Sequence, residues 1–240
     1  MIPPAGWRLR VEEDLPSTQD LLLRLAAAGE PEGLALLAHR QTAGRGRESR
    51  GWDSLSGNLH LSVLLRPGGP IRDSARWSLL AAVALAEALA AFLPDPAAIH
   101  LKWPNDLLLN GRKLAGVLAE CAGDARGGIE WLVIGFGANL AAAPVIAGRD
   151  VACLADHATA PPPEVAAAAL LHALDHWRDR PFAAVRDAWI ARGPQPGAPI
   201  TLTAGPRATT GLYAGLAEDG SLLLDTGSGP RAHSTGETGG

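Results

Sequence analysis

The sequence predicts an α+β fold, in which a mixed β-sheet with flanking helices is followed by a small β-rich domain. Strand-like and helix-like segments alternate irregularly and a hairpin interrupts them, whereas a parallel doubly wound sheet needs regular strand–helix alternation. The polar, Pro- and Gly-rich segment 193–197 then precedes a series of short strand-like pieces. We therefore expect one domain over residues 1–192 and a small β-barrel-like domain over residues 193–240.

The composition is that of a globular protein. Of the 240 residues, 47% are hydrophobic and 19% are charged, and the net charge is −4, so neither disorder nor a general nucleic-acid-binding surface is expected. The longest apolar stretch, 79–93, contains Glu87 and is too short to span a membrane. The first residues lack the basic and apolar regions of a signal peptide. A cytoplasmic protein without membrane contact is expected.

Local signals place the elements of the first half of the chain. Residues 7–12 alternate apolar and polar side chains, as a strand does. Ser17 and Thr18 are helix-capping residue types, and Gly29 can end the helix that follows. The predicted elements are strands at 7–12, 34–38 and 59–65 and helices at 18–28 and 77–92.

In the second half, Asn110-Gly111 predicts a hairpin, because both residues accept the positive φ of a type I′ turn. Residues 234–240 are expected to be frayed. The other predicted elements are strands at 99–102, 107–109, 113–120, 131–134, 200–203, 211–216 and 222–224 and helices at 164–178 and 182–190.

The polar loop 41–56 carries the first candidate site. Its segment 44–52 alternates glycines with three arginines and ends in Trp52. Glycines let a backbone approach a ligand, and arginines bind carboxylate or phosphate through a forked set of donors. This favours an anion-binding loop over a flexible surface loop with solvated arginines, although the segment lacks the terminal Gly-Lys-Ser/Thr of a P-loop.

The second candidate site is the segment 102–106, Lys-Trp-Pro-Asn-Asp, with the strand that follows it. Only two of the 21 basic residues are lysines, Lys102 and Lys113, and both lie here. Strand alternation places Lys113 with Ala115 on one face, and Gly116 suggests that a ligand or a backbone passes close by. The alternatives are a simple strand-to-hairpin turn and an edge-strand lysine.

Other residues indicate little metal or redox chemistry. Two cysteines, Cys121 and Cys153, are too few for a disulfide framework or a four-cysteine zinc site. His172 and His176 are four residues apart on a predicted helix, but no third ligand is evident, so helix-surface histidines are favoured. No protein-held metal is expected.

The order of these motifs resembles that of the biotin–protein ligases, the biotin–[acetyl-CoA-carboxylase] ligase family. The resemblance covers nearly the whole chain, and its most specific parts are the arginine loop and the Lys-Trp-Pro-Asn-Asp segment. The motifs that carry it are Ser17-Thr18, Gln41, Gly44-Arg45-Gly46-Arg47, Arg50, Trp52, Gly57-Asn58-Leu59, 102–106, 112–118, Glu120, Gly135, Gly137 and Asn139.

The resemblance implies a class II synthetase-like catalytic domain, a C-terminal SH3-like barrel and a two-step reaction. Biotin and ATP, with Mg²⁺ bound through ATP, would form biotinyl-5′-AMP, and the biotin would pass to a lysine of a biotin carboxyl carrier domain. Lys113 and Arg47 would be catalytic, and Asp106 is added as a catalytic candidate on the separate hypothesis that it orients the attacking amine. The biotin-binding residues implied are Ser17, Thr18, Gln19, Gln41, Arg45, Gly46, Arg47, Lys113, Gly116, Gly135 and Gly137. The ATP-binding residues implied are Arg47, Arg50, Trp52, Lys102, Asn105 and Asn139, and Arg207 and Glu237 are further candidates near the nucleotide.

The chain departs from the family pattern at two positions. Gln19 stands where the family often has Asn, and Ser49 stands where many members have Gly, which bears on how the loop closes. Since the motifs begin by Ser17, no DNA-binding domain is expected before them, and a homodimer is left open.

Three other functions remain as alternatives. They are a lipoate or octanoate ligase of the same superfamily, a non-catalytic biotin-binding regulator and a nucleic-acid-binding module that uses the arginine loop. The first predicts an apolar slot without polar partners for a ureido ring, and the intact Lys113 and Arg47 argue against the second. The net charge argues against the third.

Overall fold

The computed structural model describes residues 1–239, apart from the side chain of Ser49. Its helices are α1 (Thr18–Ala27), α2 (Ser74–Ala90), α3 (Pro163–Arg178) and α4 (Phe182–Arg192). Its strands are β1 (Arg8–Leu15), β2 (Leu34–Gln41), β3 (Leu59–Leu65), β4 (Ile99–Lys102), β5 (Asp106–Leu109), β6 (Arg112–Gly123), β7 (Ile129–Ala138), β8 (Pro199–Ala204), β9 (Arg207–Leu216), β10 (Leu222–Asp225), β11 (Pro230–His233) and β12 (Glu237–Gly239).

Seven strands form a mixed sheet in the order β1-β2-β3-β7-β6-β5-β4. Strands β1 and β2 are parallel, and the other neighbouring pairs are antiparallel. The predicted α+β fold with a mixed sheet is confirmed.

The two faces of this sheet are covered differently. Leu61 and Val63 of β3 belong to the main core with α2, α3 and α4, whereas Leu64 packs with Leu22 of α1 on the opposite face. Alternate residues of a strand face opposite sides, so the three long helices cover one face and α1 covers part of the other. The rest of that second face is open and forms the floor of a cleft.

Local residue types explain the start of α1 and the β5–β6 hairpin. The Ser17 side chain accepts a hydrogen bond from the Asp20 backbone N–H and caps the helix. In the hairpin turn, Asn110 has φ 50° and Gly111 has φ 79°, as the sequence predicts.

A β-bulge in this hairpin overturns one prediction. The register between β5 and β6 shifts at Leu107/Leu108, so the chain does not alternate regularly near Lys113. Ala115 is fully buried in the main core, whereas the Lys113 Nζ lies on the cleft side, beside Gly116. The prediction that Lys113 and Ala115 share a face is therefore wrong.

The C-terminal strands form a second, antiparallel sheet in the order β11-β10-β9-β8-β12. Within residues 1–239 its two edge strands are not paired with each other, so the predicted barrel is not closed. The prediction of a frayed end is wrong for Glu237–Gly239, which pairs with β8, and Gly240 lies outside the described residues. No helix in the described part of the chain is long and apolar enough to cross a membrane.

Candidate active site

A cleft of about 1090 Å³, including its open mouth, lies on the open face of the large sheet. His60, Gly137, Gly116 and Asp106 stand side by side on β3, β7, β6 and β5, and form one row across this face. Trp52 from the arginine loop lies against the two glycines, and a Cβ at Gly137 would overlap its indole ring. These glycines are therefore required for the aromatic side chain to reach the sheet.

Polar side chains form one wall of the cleft. Thr18 Oγ1 is 2.9 Å from Ser62 Oγ and donates to Gln41 Oε1 at 3.1 Å. Ser62 Oγ donates to Gln19 Oε1 at 3.0 Å. Gln19 lies over Gly135, where a Cβ would be 2.6 Å from its Oε1. This wall offers both donors and acceptors to a ligand.

Most cations of the cleft are already paired with carboxylates. Lys113 Nζ donates to Asp106 Oδ1 at 2.6 Å, and Arg50 forms an ion pair with Glu237 of β12. Arg45 contacts carboxylates on two other elements, α1 and β6. Its hydrogen bond to Asp20 is the main cause that raises the pKa of the Arg45 guanidinium, which burial partly opposes.

Two arginines differ from the others. Arg47 Nη1 donates to the neutral Asn105 Oδ1 at 3.2 Å, and Arg149 lies in the cleft wall beyond β7. Neither forms an ion pair with a carboxylate among residues 1–239. Asn105 is itself held by its side-chain N–H, which donates to the Val117 backbone oxygen. Arg47 and Arg149 therefore offer an anionic ligand positive charge that no carboxylate among the described residues offsets.

The arginine loop is folded back on itself at the cleft. Gly46 N–H donates to the Arg50 carbonyl at 2.7 Å, and Trp52 N–H donates to the Gly44 carbonyl at 2.9 Å. Glu48, with φ 54°, turns the chain between them. The backbone of Ser49 continues this turn, while its side chain lies outside the described part of the chain, so the effect of Ser at this position stays a prediction.

His60 is a buried residue next to the cleft floor. Its Nε2 is 3.3 Å from the Leu55 carbonyl, and its Nδ1 has no hydrogen-bond partner within residues 1–239. Burial lowers the pKa of the His60 imidazole, and the contact with Leu55 opposes this effect. His60 therefore stays neutral more readily than an exposed histidine.

The described residues contain no group of three or more His, Cys, Asp or Glu side chains arranged to hold a metal ion. Of the carboxylates that line the cleft, Asp106 is held by Lys113 and Glu237 by Arg50, whereas Asp53 forms no ion pair among the described residues.

The sequence of the sheet and its loops matches a known family. Residues 11–139, more than half of the chain, match the family model for the biotin/lipoate A/B protein ligase family. The chain belongs to this family.

Individual members of the family are similar over most of the chain. A biotin–[acetyl-CoA-carboxylase] ligase of Paracoccus denitrificans is 36% identical over 204 residues, covering 79% of this chain and 82% of the relative. The Mycobacterium tuberculosis ligase of the same name is 35% identical over 234 residues, covering 93% and 85%. A solved structure of the Aquifex aeolicus biotin protein ligase, in complex with biotin and ATP, has a TM-score of 0.80 and 26% identity and covers 97% of both chains. The predicted resemblance to biotin–protein ligases is confirmed.

For this member of the family, one cleft brings together residues that the sequence placed in four separate segments. The predicted site residues that line it are Thr18, Gln19, Gln41, Arg45, Gly46, Arg47, Arg50, Trp52, Asn105, Asp106, Lys113, Gly116, Gly135, Gly137 and Asn139. Two predicted residues are elsewhere. Ser17 is the buried cap of α1, and Lys102 ends β4 outside the cleft lining.

Several residues of the cleft were not singled out from the sequence. Ser62 sits in an apolar strand, and its only signal is a polar residue where alternation places it on the face opposite Leu61 and Val63. Arg149 lies in an irregular segment with no motif. Of the two C-terminal candidates, Glu237 lines the cleft, whereas Arg207 is exposed on β9 outside the lining.

Proposed function

We propose that this family member is an ATP-dependent biotin–protein ligase. A biotin carboxylate oxygen attacks the α-phosphorus of ATP, forming biotinyl-5′-AMP and releasing pyrophosphate. The amine of a carrier-domain lysine then attacks the acyl carbon, loses a proton and releases AMP. The observation that carries the proposal is one cleft that combines a polar wall with arginines that have no carboxylate partner in the described part of the chain, in a chain similar to biotin–[acetyl-CoA-carboxylase] ligases over most of its length.

The polar wall suits the ureido ring of biotin. A ureido group has N–H donors and a carbonyl acceptor, and the hydroxyls of Thr18 and Ser62 with the amides of Gln19 and Gln41 can satisfy both kinds. Gly135 and Gly137 let Gln19 and Trp52 approach the sheet, so these side chains would flank the bound acid.

The arginines of the cleft are suited to binding the phosphates of ATP. Two anions about 4 Å apart repel each other by roughly 4 kcal/mol at an effective dielectric constant of about 20, so adenylation needs fixed cations. Arg47 is free of a carboxylate partner among the described residues and lies next to Asn105. Lys113 would act where the biotin carboxylate meets the α-phosphate. We propose that Arg50, Trp52, Asn105 and Asn139 contact the nucleotide.

Mg²⁺ enters this proposal as part of the substrate MgATP. Two of the three cleft carboxylates, Asp106 and Glu237, are held by cations, and the described residues form no three-ligand cluster, a pattern that suits a metal carried by the phosphates.

Asp106 is proposed to act in the transfer step. It pairs with Lys113 in the free protein, at 2.6 Å, and is 22% exposed at its side chain. An incoming amine must lose a proton to attack, and a carboxylate at this place can orient it and take up its charge. The carrier is proposed to be the biotin carrier domain of an acetyl-CoA carboxylase, and the cytoplasm is the proposed compartment.

A lipoate or octanoate ligase is the competing function within the family. An apolar acid would exclude water from four polar side chains without offering them hydrogen-bond partners, whereas a ureido ring offers both donors and acceptors. The polar wall therefore favours biotin.

The test is pyrophosphate–ATP exchange by the purified protein with Mg²⁺ and biotin, lipoate or octanoate. We expect exchange with biotin alone. Exchange with lipoate or octanoate would assign the chain to the sister activity, and biotin binding without exchange would support the regulator alternative.

A further inference from the structure

The guanidinium of Arg45 joins three separate parts of the cleft. Arg45 belongs to the arginine loop, and its Nη1 lies 2.5 Å from Asp20 Oδ1 in the first turn of α1. Its Nη2 lies 3.1 Å from Glu120 Oε1 on β6. A planar guanidinium with forked donors suits two carboxylates at once. The loop is thus tied to a helix and to a strand that are distant from it in the sequence.

Glu120 has a second partner that reaches the polar wall. Its Oε2 accepts a hydrogen bond from Gln19 Nε2 at 2.9 Å, and Gln19 Oε1 accepts one from Ser62 at 3.0 Å. Since one end of the Gln19 amide is held by Glu120, the other end presents its oxygen to the wall. A continuous chain of polar contacts therefore runs from the arginine loop to the side chains that face the ligand.

The charges around Arg45 argue against a role in binding phosphate. Two carboxylates compensate one guanidinium, whereas Arg47, two residues later, has only a neutral amide partner among the described residues. An anion that approached Arg45 would also meet the charges of Asp20 and Glu120.

We propose that Arg45, Asp20 and Glu120 form an ionic latch that holds residues 44–52 closed over the cleft, and that Glu120 is a positioning residue which couples this latch to Gln19. The inference rests on the proposed function. Closing the loop fixes Gln19 through Glu120, and a ligand bound to Gln19 stabilises the closed loop in return, because coupling between two sites is reciprocal. The three side chains are 31–39% exposed, so the latch weakens at high salt.

The test measures how fast preformed, radiolabelled biotinyl-5′-AMP leaves the full-length protein. Glu120→Gln keeps the shape and the hydrogen bond to Gln19 but removes the charge that faces Arg45. We expect release to be about two- to fivefold faster, the range of a partly exposed ion pair. Higher salt should accelerate release from the unaltered protein more than from the variant. Glu120→Asp, which restores the charge, should recover part of the retention.

Comparing the release rates of the single and double variants distinguishes a latch from a general destabilisation of the loop. Arg45→Met should release the adenylate faster by itself, and adding Glu120→Gln should change the rate little, because the pair is already broken. The matched control is Glu32→Gln, which removes the partner of Arg178 in a similarly exposed pair outside the cleft. It should leave release unchanged.

The latch would be overturned if Glu120→Gln released the adenylate at the wild-type rate. It would also be overturned if the effects of Arg45→Met and Glu120→Gln on the release rate were additive. If Glu120→Gln does not fold, Asp20→Asn removes the other carboxylate and is judged by the same criteria. Failure of the unaltered protein to form the adenylate would instead contradict the proposed function, so the two failures are distinguishable.

Discussion

The cationic side chains of the cleft differ in the groups they contact, and these contacts limit what each cation can do. Lys113 pairs with Asp106 and Arg50 with Glu237, whereas Arg47 donates to the neutral Asn105 and has no carboxylate partner among residues 1–239. The sequence supplies these cations in two short motifs but does not say which carboxylate each one meets. Three predictions follow from single side chains.

Replacing Arg47 with Gly should let the adenylate escape, because a cation that has no carboxylate partner among the described residues is removed from the proposed phosphate side of the cleft. We expect release at least about tenfold faster, the value of a charge-assisted hydrogen bond. Labelling of a lysine-rich bystander protein with biotin measures the escape, since this chain has only two lysines of its own. Arg180→Gly, an exposed arginine outside the cleft, is the control, and unchanged retention in Arg47→Gly would refute the role.

Replacing Asp106 with Asn should slow the transfer of biotin while adenylation continues, because the amide keeps the shape but cannot take up the charge of the attacking amine. We expect transfer to fall by about tenfold or more, the effect of a positioned acid–base group. Single-turnover transfer from preformed adenylate is compared with pyrophosphate exchange. An equal loss in both steps would contradict this role and would indicate that Asp106 acts through Lys113.

The buried His60 should make the folded protein sensitive to mild acid. Since burial lowers its pKa, the unfolded chain takes up a proton near the ordinary value of 6.5 while the folded chain does not. The free energy of unfolding should therefore fall as the pH drops from 6.5 to the lower folded-state pKa, by at most about 1.4 kcal/mol per pH unit. Denaturant titrations should show that the free energy of unfolding depends less steeply on pH in His60→Gln than in the unaltered protein. Identical pH dependence in the two proteins would argue against a role of His60.

At the scale of elements, the residue types predicted the hairpin turn and the cap of α1 but not the bulge between β5 and β6 or the strand β12. Asn110-Gly111 specifies its own turn, and Ser17 caps α1, because both effects depend on neighbouring backbone. The bulge that brings Lys113 to the cleft depends on pairing between β5 and β6, which alternation in one strand does not reveal. Strand β12 was missed because its partner, β8, is over thirty residues away.

The ion pair between Arg50 and Glu237 connects this missed strand to the arginine loop. Glu237→Gln should raise the KM for ATP in pyrophosphate exchange by about two- to fivefold, the range of a partly exposed pair. An unchanged KM for ATP in Glu237→Gln would show that β12 does not help to order the arginine loop. Glu218→Gln, an exposed glutamate in the turn before β10, serves as the control.

At the scale of the whole molecule, contacts join the two sheets directly. Trp103 Nε1 donates to the Gly220 carbonyl at 3.2 Å, and Thr238 Oγ1 donates to the Trp103 carbonyl at 2.9 Å. The indole of Trp103 is also part of the main core. These contacts indicate that the predicted parts, 1–192 and 193–240, depend on each other, and the boundary between them stays a prediction.

We expect both sheets to unfold in a single thermal transition. Trp103→Phe leaves the Gly220 carbonyl without its buried donor, which costs about 1–3 kcal/mol. In a chain of this size each kcal/mol lowers the Tm by about 2–4 °C, so the one transition should move down as a unit. Scanning calorimetry and circular dichroism measure this. Two separate transitions, only one of them shifted by the substitution, would show that the sheets unfold independently.

The sequence by itself determined the fold class, the hairpin, the cap of α1 and the family, because these depend on periodicity, on adjacent residue types and on motifs in order along the chain. The tertiary structure decided which distant groups meet. Arg45 reaches Asp20 and Glu120, Trp52 covers Gly137, and Glu237 holds Arg50. These contacts follow from the order and register of the strands, which bring together residues far apart along the chain and which no local pattern encodes.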